Sequence, residues 1–331
     1  GQHGTEALSC IGAYKEGVLE AAAHGADFML CVTEDVSSEY RIEEYNWLFA
    51  AEFADSTGAD IISTSLGYTT FNASDMDYSY DDLDGQTAAI SRALNLASQK
   101  GMLCVVSAGN EGSGSWRYVS PPADAADVLA VGAVSSSRDK VSFSSFGPTV
   151  DGRIKPDVSA MGLQTVVVNA AGNVTRSNGT SFAAPLIAGF AAGVWEAFPD
   201  DSHLDIMDRI RRSGDKAMTP DNETGFGIPN YEQIREAELL PVKNSLQSHQ
   251  FRVFPNPLEN SDLFIKPMQG VLEAPMLLQM YSPAGSLVME KYYESFSRNS
   301  LSVDTSGLAR GIYILRISTP SVSDTLKIVK F

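Results

Sequence analysis

The chain has 331 residues, 44% hydrophobic and 20% charged, an ordinary composition for a soluble globular protein with room for one large domain and a small one. Its net charge of −17 argues against partners that need basic patches, namely nucleic acid and anionic membrane surfaces. No apolar run approaches the roughly 18 residues of a membrane span. From residue 1 to about 237, short apolar runs alternate with helix-length amphipathic stretches. Helices are expected over 5–23, 43–57, 86–100 and 180–197, and Gly25, Gly58 and Gly101 supply stop signals. Strands are expected at Phe28–Val32, Asp60–Ser63, Met102–Val106, Val128–Val131 and Val166–Val168. This alternation predicts an α/β domain whose parallel sheet is covered by helices on both faces.

The text then changes character. Residues 238–250 carry a polar stretch without helical or strand period and read as a linker. From 251 to 331, short strands at Leu263–Ile265, Met276–Tyr281, Leu287–Tyr293, Leu301–Val303, Ile312–Ile317 and Leu326–Val329 are separated by Pro, Gly, Ser and Asn clusters. That spacing predicts a small antiparallel β-sandwich. The three cysteines, Cys10, Cys31 and Cys104, lack metal-ligand spacing and are expected as buried packing residues.

Three short segments carry chemistry. His3–Gly4–Thr5 opens a helical stretch, where an imidazole can serve as general base. Ser107–Ala108–Gly109–Asn110–Glu111–Gly112 follows an apolar strand, at the strand end where α/β sheets bind ligands, and Asn110 offers an amide donor. In Asn178–Gly179–Thr180–Ser181–Phe182–Ala183–Ala184–Pro185, Ser181 sits at a helix N-terminus, which favours developing negative charge. Each has a plain alternative taken singly: a surface histidine, an Asn-Gly-type turn, a Thr or Ser helix cap.

Together they resemble the subtilase family. The order matches: His-Gly-Thr, then Ser65–Leu66–Gly67, Ala108–Gly109–Asn110, and Gly179–Thr180–Ser181 with Ala183 and Pro185. Val131–Gly132–Ala133–Val134, Phe143–Ser144–Ser145–Phe146–Gly147–Pro148 and Lys155–Pro156–Asp157–Val158 also look like subtilase text. The resemblance spans roughly 1–237. It implies a serine endopeptidase with Ser181 as nucleophile, His3 as general base, and Asn110 with the Ser181 N–H as oxyanion hole. It further implies that Ser65, Leu66 and Gly67 pair with substrate as an edge strand, and that Ala108, Gly109, Ser120 and Thr180 contribute to substrate binding. Subtilases place their triad aspartate before the histidine, and only two residues precede His3. The acid is therefore expected upstream of this sequence, and this stretch alone is expected to be inactive. Asp55–Ser56–Thr57–Gly58 follows the histidine and is not a candidate for that acid.

No cofactor is required by such chemistry. Asp75, Asp77, Asp81, Asp82 and Asp84 crowd one loop and leave structural calcium as an option, although Asp84 also reads as a helix cap. Glu34–Asp35, at an expected strand end, reads as a solvated loop or a face for basic substrate side chains. His24, His203 and His249 read as surface residues. In the last 81 residues, Phe254–Pro255–Asn256–Pro257, Tyr281–Ser282–Pro283–Ala284–Gly285–Ser286, Gly311–Ile312–Tyr313–Ile314–Leu315–Arg316–Ile317 and Leu326–Lys327–Ile328–Val329–Lys330 resemble C-terminal sorting domains of type IX secretion cargo. That resemblance implies export through the type IX machinery to the surface or surroundings of a gram-negative bacterium, with protein or peptide substrates. Two alternatives stand beside these readings: a catalytically silent subtilase-like binding or adhesion protein, and a generic Ig-like module at the C-terminus.

Overall fold

The computed structural model describes residues 1–239, 251–258, 262–267, 275–282, 286–294, 301–320 and 323–330. The chain divides into two compact units, Gly1–Leu240 and Pro241–Phe331. Most of the expected linker, together with His249 and the Pro283–Gly285 turn, lies outside the described residues.

The first unit begins with helix α1 (Gln2–Gly12) and a small hairpin, β1 (Tyr14–Lys15) and β2 (Leu19–Glu20). Helix α2 (Ile42–Thr57) precedes β3 (Ile61–Thr64), and α3 (Ala89–Gln99) leads to β4 (Leu103–Ser107). Then come β5 (Leu129–Val134), β6 (Val158–Met161), β7 (Thr165–Val168), β8 (Val174–Ser177), α4 (Thr180–Ala197), α5 (His203–Arg212) and α6 (Tyr231–Leu239). Strands β3-β4-β5-β6 form one parallel sheet in that order.

Side-chain alternation explains how this sheet is covered. Leu103 and Val105 of β4, with Leu129 and Val131 of β5, pack against Ala183, Ala184, Ile187 and Ala191 of α4. Cys104, Val106 and Ala130 point the other way, into a cluster with Trp47 of α2 and Ile90 and Leu94 of α3. A period of two thus feeds two cores, as a strand buried on both faces requires. At the β5–β6 end, Asp157 is buried between the Lys155 ammonium at 2.8 Å and the Arg211 guanidinium at 2.7 Å. Burial pushes its carboxyl up, but the attraction of Arg211 and Lys155 outweighs it, and the net direction is down.

Three expectations need correction. The helix expected over 5–23 stops at Gly12, and Gly17, at φ +71°, turns the chain into the β1–β2 hairpin instead. Phe28–Val32 forms no strand; among the described residues no strand pairs with it, and Cys31 is exposed rather than buried. Val166–Val168 does form a strand, but β7 pairs antiparallel with β8 and stays outside the parallel sheet. The turn at 169–173 is too short for the crossover that a parallel pair needs. Cys10 and Cys104 are buried as expected, and burial pushes both thiols up to about 12, leaving them inert.

Among the described residues the second unit has seven strands: β9 (Phe251–Phe254), β10 (Asp262–Pro267), β11 (Met276–Tyr281), β12 (Leu287–Tyr293), β13 (Leu301–Asp304), β14 (Gly311–Ser318) and β15 (Ser323–Lys330). They form antiparallel sheets β13-β10-β9 and β12-β11-β14-β15. Alternate residues of both sheets, among them Leu263, Ile265, Leu278, Met280, Leu315, Ile317 and Ile328, enclose one core. The Asn256 side chain donates to Lys327 O and accepts from Val329 N, so the opening motif is fastened to the last strand.

Candidate active site

Helix α4 starts at Gly179, whose φ of 147° is a conformation that side-chain-bearing residues rarely adopt. The next residues, Thr180 and Ser181, occupy the first turn, where backbone N–H groups have no intrahelical acceptor. Thr180 N donates to Asn110 Oδ1 at 2.9 Å, and Thr180 Oγ1 donates to the same oxygen at 3.1 Å. A backbone N–H is a donor only, so this pair of contacts fixes the amide orientation of Asn110. Its oxygen is tied to the helix and its exposed Nδ2 remains free to donate. Gly109 N in turn donates to Thr180 Oγ1 at 3.2 Å, which locks the loop after β4 to the start of α4.

Pro185 adds a second constraint. Lacking an N–H, it cannot serve the carbonyl four residues earlier, that of Ser181. Ser65 Oγ donates to that carbonyl instead, at 2.8 Å. Ser65, expected to contact substrate, therefore also holds the backbone of Ser181. Leu66 turns into the core, while Gly67 stays exposed, and 65–67 leave the end of edge strand β3 unpaired by any neighbour in the sheet.

The remaining expected residues gather around these. A Cβ on Gly109 would stand 2.9 Å from Ser120 Oγ and 3.0 Å from Ser145 Oγ; one on Gly67 would stand 3.1 Å from Ser120 Cβ. Gly67, Gly109 and Ser120 thus meet closely enough that side chains at either glycine would crowd the space between them. Ala108 and Ser120 are buried and bonded through Ser120 N to Ala108 O, so they offer backbone and wall. Thr180 is placed differently from expectation: it is wholly buried, and its hydroxyl serves Asn110 and Gly109 rather than open space. Ser145, absent from the expected site residues, donates N–H to Gly109 O and accepts from Glu111 N at 2.9 Å. The Phe143–Pro148 motif was the signal that could have found it.

His3 lies near the start of α1, its ring centroid 5.7 Å from that of Phe182, the residue after Ser181. The helix is held from its far side: Val168 N donates to Ser9 Oγ at 2.8 Å and Ser177 Oγ to Glu6 Oε2 at 2.9 Å. The ring itself is exposed, and no hydrogen bond fixes it among the described residues.

The acidic loop does not converge. Asp77 accepts from Phe71 N, Asp82 forms a capping box with Ser79, and Asp84 accepts from Gln86 N and Thr87 N. Several of these carboxylates, an option for calcium on sequence, serve local N–H groups, and among the described residues the five form no ligand cluster. His203 is half-buried, with Nε2 3.2 Å from Ser98 Oγ, rather than a free surface residue.

Comparison with known proteins accords with this geometry. Residues 1–227 match the family described as the subtilase family. The chain belongs to the subtilase family. Subtilisin NAT of Bacillus subtilis subsp. natto is 32% identical to this subtilase over 212 residues, 63% of this chain and 49% of that one. Subtilisin of Bacillus pumilus is 32% identical over 212 residues, 63% and 68% of the two chains. The matched part of this subtilase thus spans about half the length of subtilisin NAT. Among solved structures, the self-cleaved protease domain of PatA superposes with a TM-score of 0.58 at 24% identity, over 70% of this chain and 81% of that one. Sphericase gives 0.55 at 24% identity, over 70% and 77%. These two establish the fold. Residues 252–330 match a secretion system C-terminal sorting domain. Among the described residues no helix is long and apolar enough to cross a membrane.

Proposed function

We propose that this subtilase is an exported serine endopeptidase in which Ser181 attacks, His3 moves the proton and Asn110 stabilises the oxyanion. Ser181 Oγ forms a bond to the scissile carbonyl carbon while His3 takes its proton. The tetrahedral oxyanion accepts from Asn110 Nδ2 and from the Ser181 N–H at the positive end of α4. His3 returns the proton to the leaving amine, and water then hydrolyses the acyl-enzyme by the same route. In the subtilase order of Asp, His, Ser, the acid that orients the histidine stands before it in the chain. Side chains alone carry this chemistry, and no organic cofactor enters it.

Substrate is assigned to the open edge at Ser65–Gly67 by β-augmentation, with Ala108–Gly109 and Ser120 as walls of the primary pocket and Thr180 as a positioning residue for Asn110. We read the sorting domain as a signal for export by the type IX secretion machinery, to the exterior or surface of a gram-negative bacterium; its match over residues 252–330 supports this reading. One observation carries the catalytic reading most: Asn110 Oδ1 accepts from Thr180 N, the residue before Ser181, so the oxygen is held at the start of α4 and the Nδ2 is left as the group that can donate. The test is a fluorophosphonate probe applied to the full-length gene product beside Ser181→Ala. Labelling lost in the variant supports the proposal. Absence of labelling in folded, fully processed protein favours a binding role instead.

A further inference from the structure

We propose that Glu34, Glu39 and Glu43 form a calcium site that braces the substrate-binding edge of this domain, a site separate from the Asp75–Asp84 loop and from the reacting residues. One carboxylate oxygen from each of the three lies within 4.8 Å of the other two. Glu43, in the first turn of α2, is only 3% exposed. Its Oε1 accepts from Asp35 N at 3.0 Å, but its Oε2 is buried with no hydrogen-bond partner. A carboxylate oxygen buried in this way lacks the partner that buried polar atoms have, and a bound cation would supply it.

The neighbours leave the same gap. Glu34 Oε1 accepts from Tyr68 Oη at 2.7 Å and from Thr33 Oγ1 at 2.9 Å, which leaves Oε2 open. Glu39 is fixed through its backbone, its N donating to Asn72 Oδ1 and its O accepting from Asn72 N, while its carboxylate makes no hydrogen bond among the described residues. Burial, then the charges of Glu43 and Glu34, push the Glu39 carboxyl above its usual range. The nearest basic residue in sequence is committed elsewhere: Arg41 donates to Met76 O and stacks over Tyr78. Glu44, beside Glu43, has its own partners in Tyr78 Oη and Ile90 N. Three acids are therefore brought together, and among the described residues no hydrogen bond or ion pair reaches Glu43 Oε2 or the Glu39 carboxylate.

The donor set chooses the ion. It is all oxygen, which suits a hard cation and disfavours zinc or copper. Bonds of about 2.3–2.6 Å to calcium can bridge oxygens up to about 5 Å apart without movement. Magnesium, at about 2.0–2.1 Å and strictly octahedral, tolerates less spread among its ligand oxygens. Glu34 and Glu39 are half-buried, so the ion has access from solvent and room for water ligands. Tyr68, bonded to Glu34, directly follows Gly67 and donates its N–H to Pro121 O at 2.8 Å. An ion at this point thus ties the 33–43 segment to the edge assigned to substrate.

The test compares the full-length protein with Glu43→Gln and Glu39→Gln, by calcium calorimetry and by thermal melting in EDTA and in millimolar calcium. Calcium is expected to raise the melting temperature of the parent protein and to bind at least about tenfold more tightly than magnesium. Each variant is expected to lose at least about tenfold in calcium affinity and most of the calcium-dependent shift. In EDTA, Glu39→Gln is expected to melt no lower than the parent, because the amide relieves repulsion among the carboxylates; a variant that merely damaged the fold would melt lower in both media. A parent protein without a calcium response would overturn the site, as would a response of undiminished size in both variants. Equal affinity for magnesium would overturn the choice of ion.

Discussion

In the proposed mechanism Asn110 serves the oxyanion, while Ser65 Oγ donates to the carbonyl of Ser181 itself. Replacing Asn110 with Leu keeps the volume and removes the donor. We expect kcat to fall about 10²- to 10³-fold with little change in KM, the loss that removal of such a donor produces in a subtilisin. Ser65→Ala leaves the Ser181 carbonyl without a partner, at about 1–3 kcal/mol. The expected result is a kcat lowered about five- to tenfold or more in steady-state assays. Pro185→Ala supplies the missing N–H and should restore part of that loss in the double variant. If the double variant is as impaired as Ser65→Ala, the hydroxyl works by another route.

At the scale of elements, α4 carries Ser181, the proposed nucleophile, and packs on the parallel sheet, and the ion cluster of Lys155, Asp157 and Arg211 secures the sheet at β5 and β6. Asp157→Asn leaves Lys155 buried without its charge partner, and unfolding free energy should drop by about 3–5 kcal/mol. The pH dependence has a definite sign. The Asp157 carboxyl is held below its ordinary value in the folded protein, so its contribution is present above the unfolded value of about 3.9 and is lost as pH falls below it. Urea unfolding from neutral pH to about pH 3 should show a smaller acid dependence in Asp157→Asn than in the parent.

The elements the sequence announced most clearly are those set by local rules. Gly58 and Gly101 end helices, and apolar runs of β4 and β5 mark strands buried on both faces. Gly179 and Pro185 mark the backbone around Ser181 within a few residues. What was not legible depends on distant partners. Phe28–Val32 has strand composition, but a strand exists only where another pairs with it. The β7–β8 hairpin hides in the same apolar alternation, and only its short turn distinguishes it. Glu34, Glu39 and Glu43 share no period, and nothing short of the fold brings them together. Thr180 reads as a cap or a substrate contact, and its service to Asn110 emerges only when the loop after β4 meets α4.

For the molecule as a whole, each unit has its own core, and the sorting unit fastens its first motif to its last strand through Asn256. Deleting 251–331 from the full-length gene product should therefore leave the subtilase unit folded and abolish export, read as activity retained in cell lysate and absent from medium and cell surface. Asn256→Ala should destabilise the sorting unit by about 1–2 kcal/mol, through two unpaired backbone groups on β15.

The central claim is that Ser181 becomes acylated with the help of Asn110 and His3. Its most direct test is to quench the full-length protein in acid during turnover of an activated ester and to map the adduct by peptide mass spectrometry. The account predicts an acyl group on Ser181, greatly reduced in Asn110→Leu and absent in His3→Ala. An adduct on another residue, or turnover with Ser181 left unmodified at every time point, would contradict it.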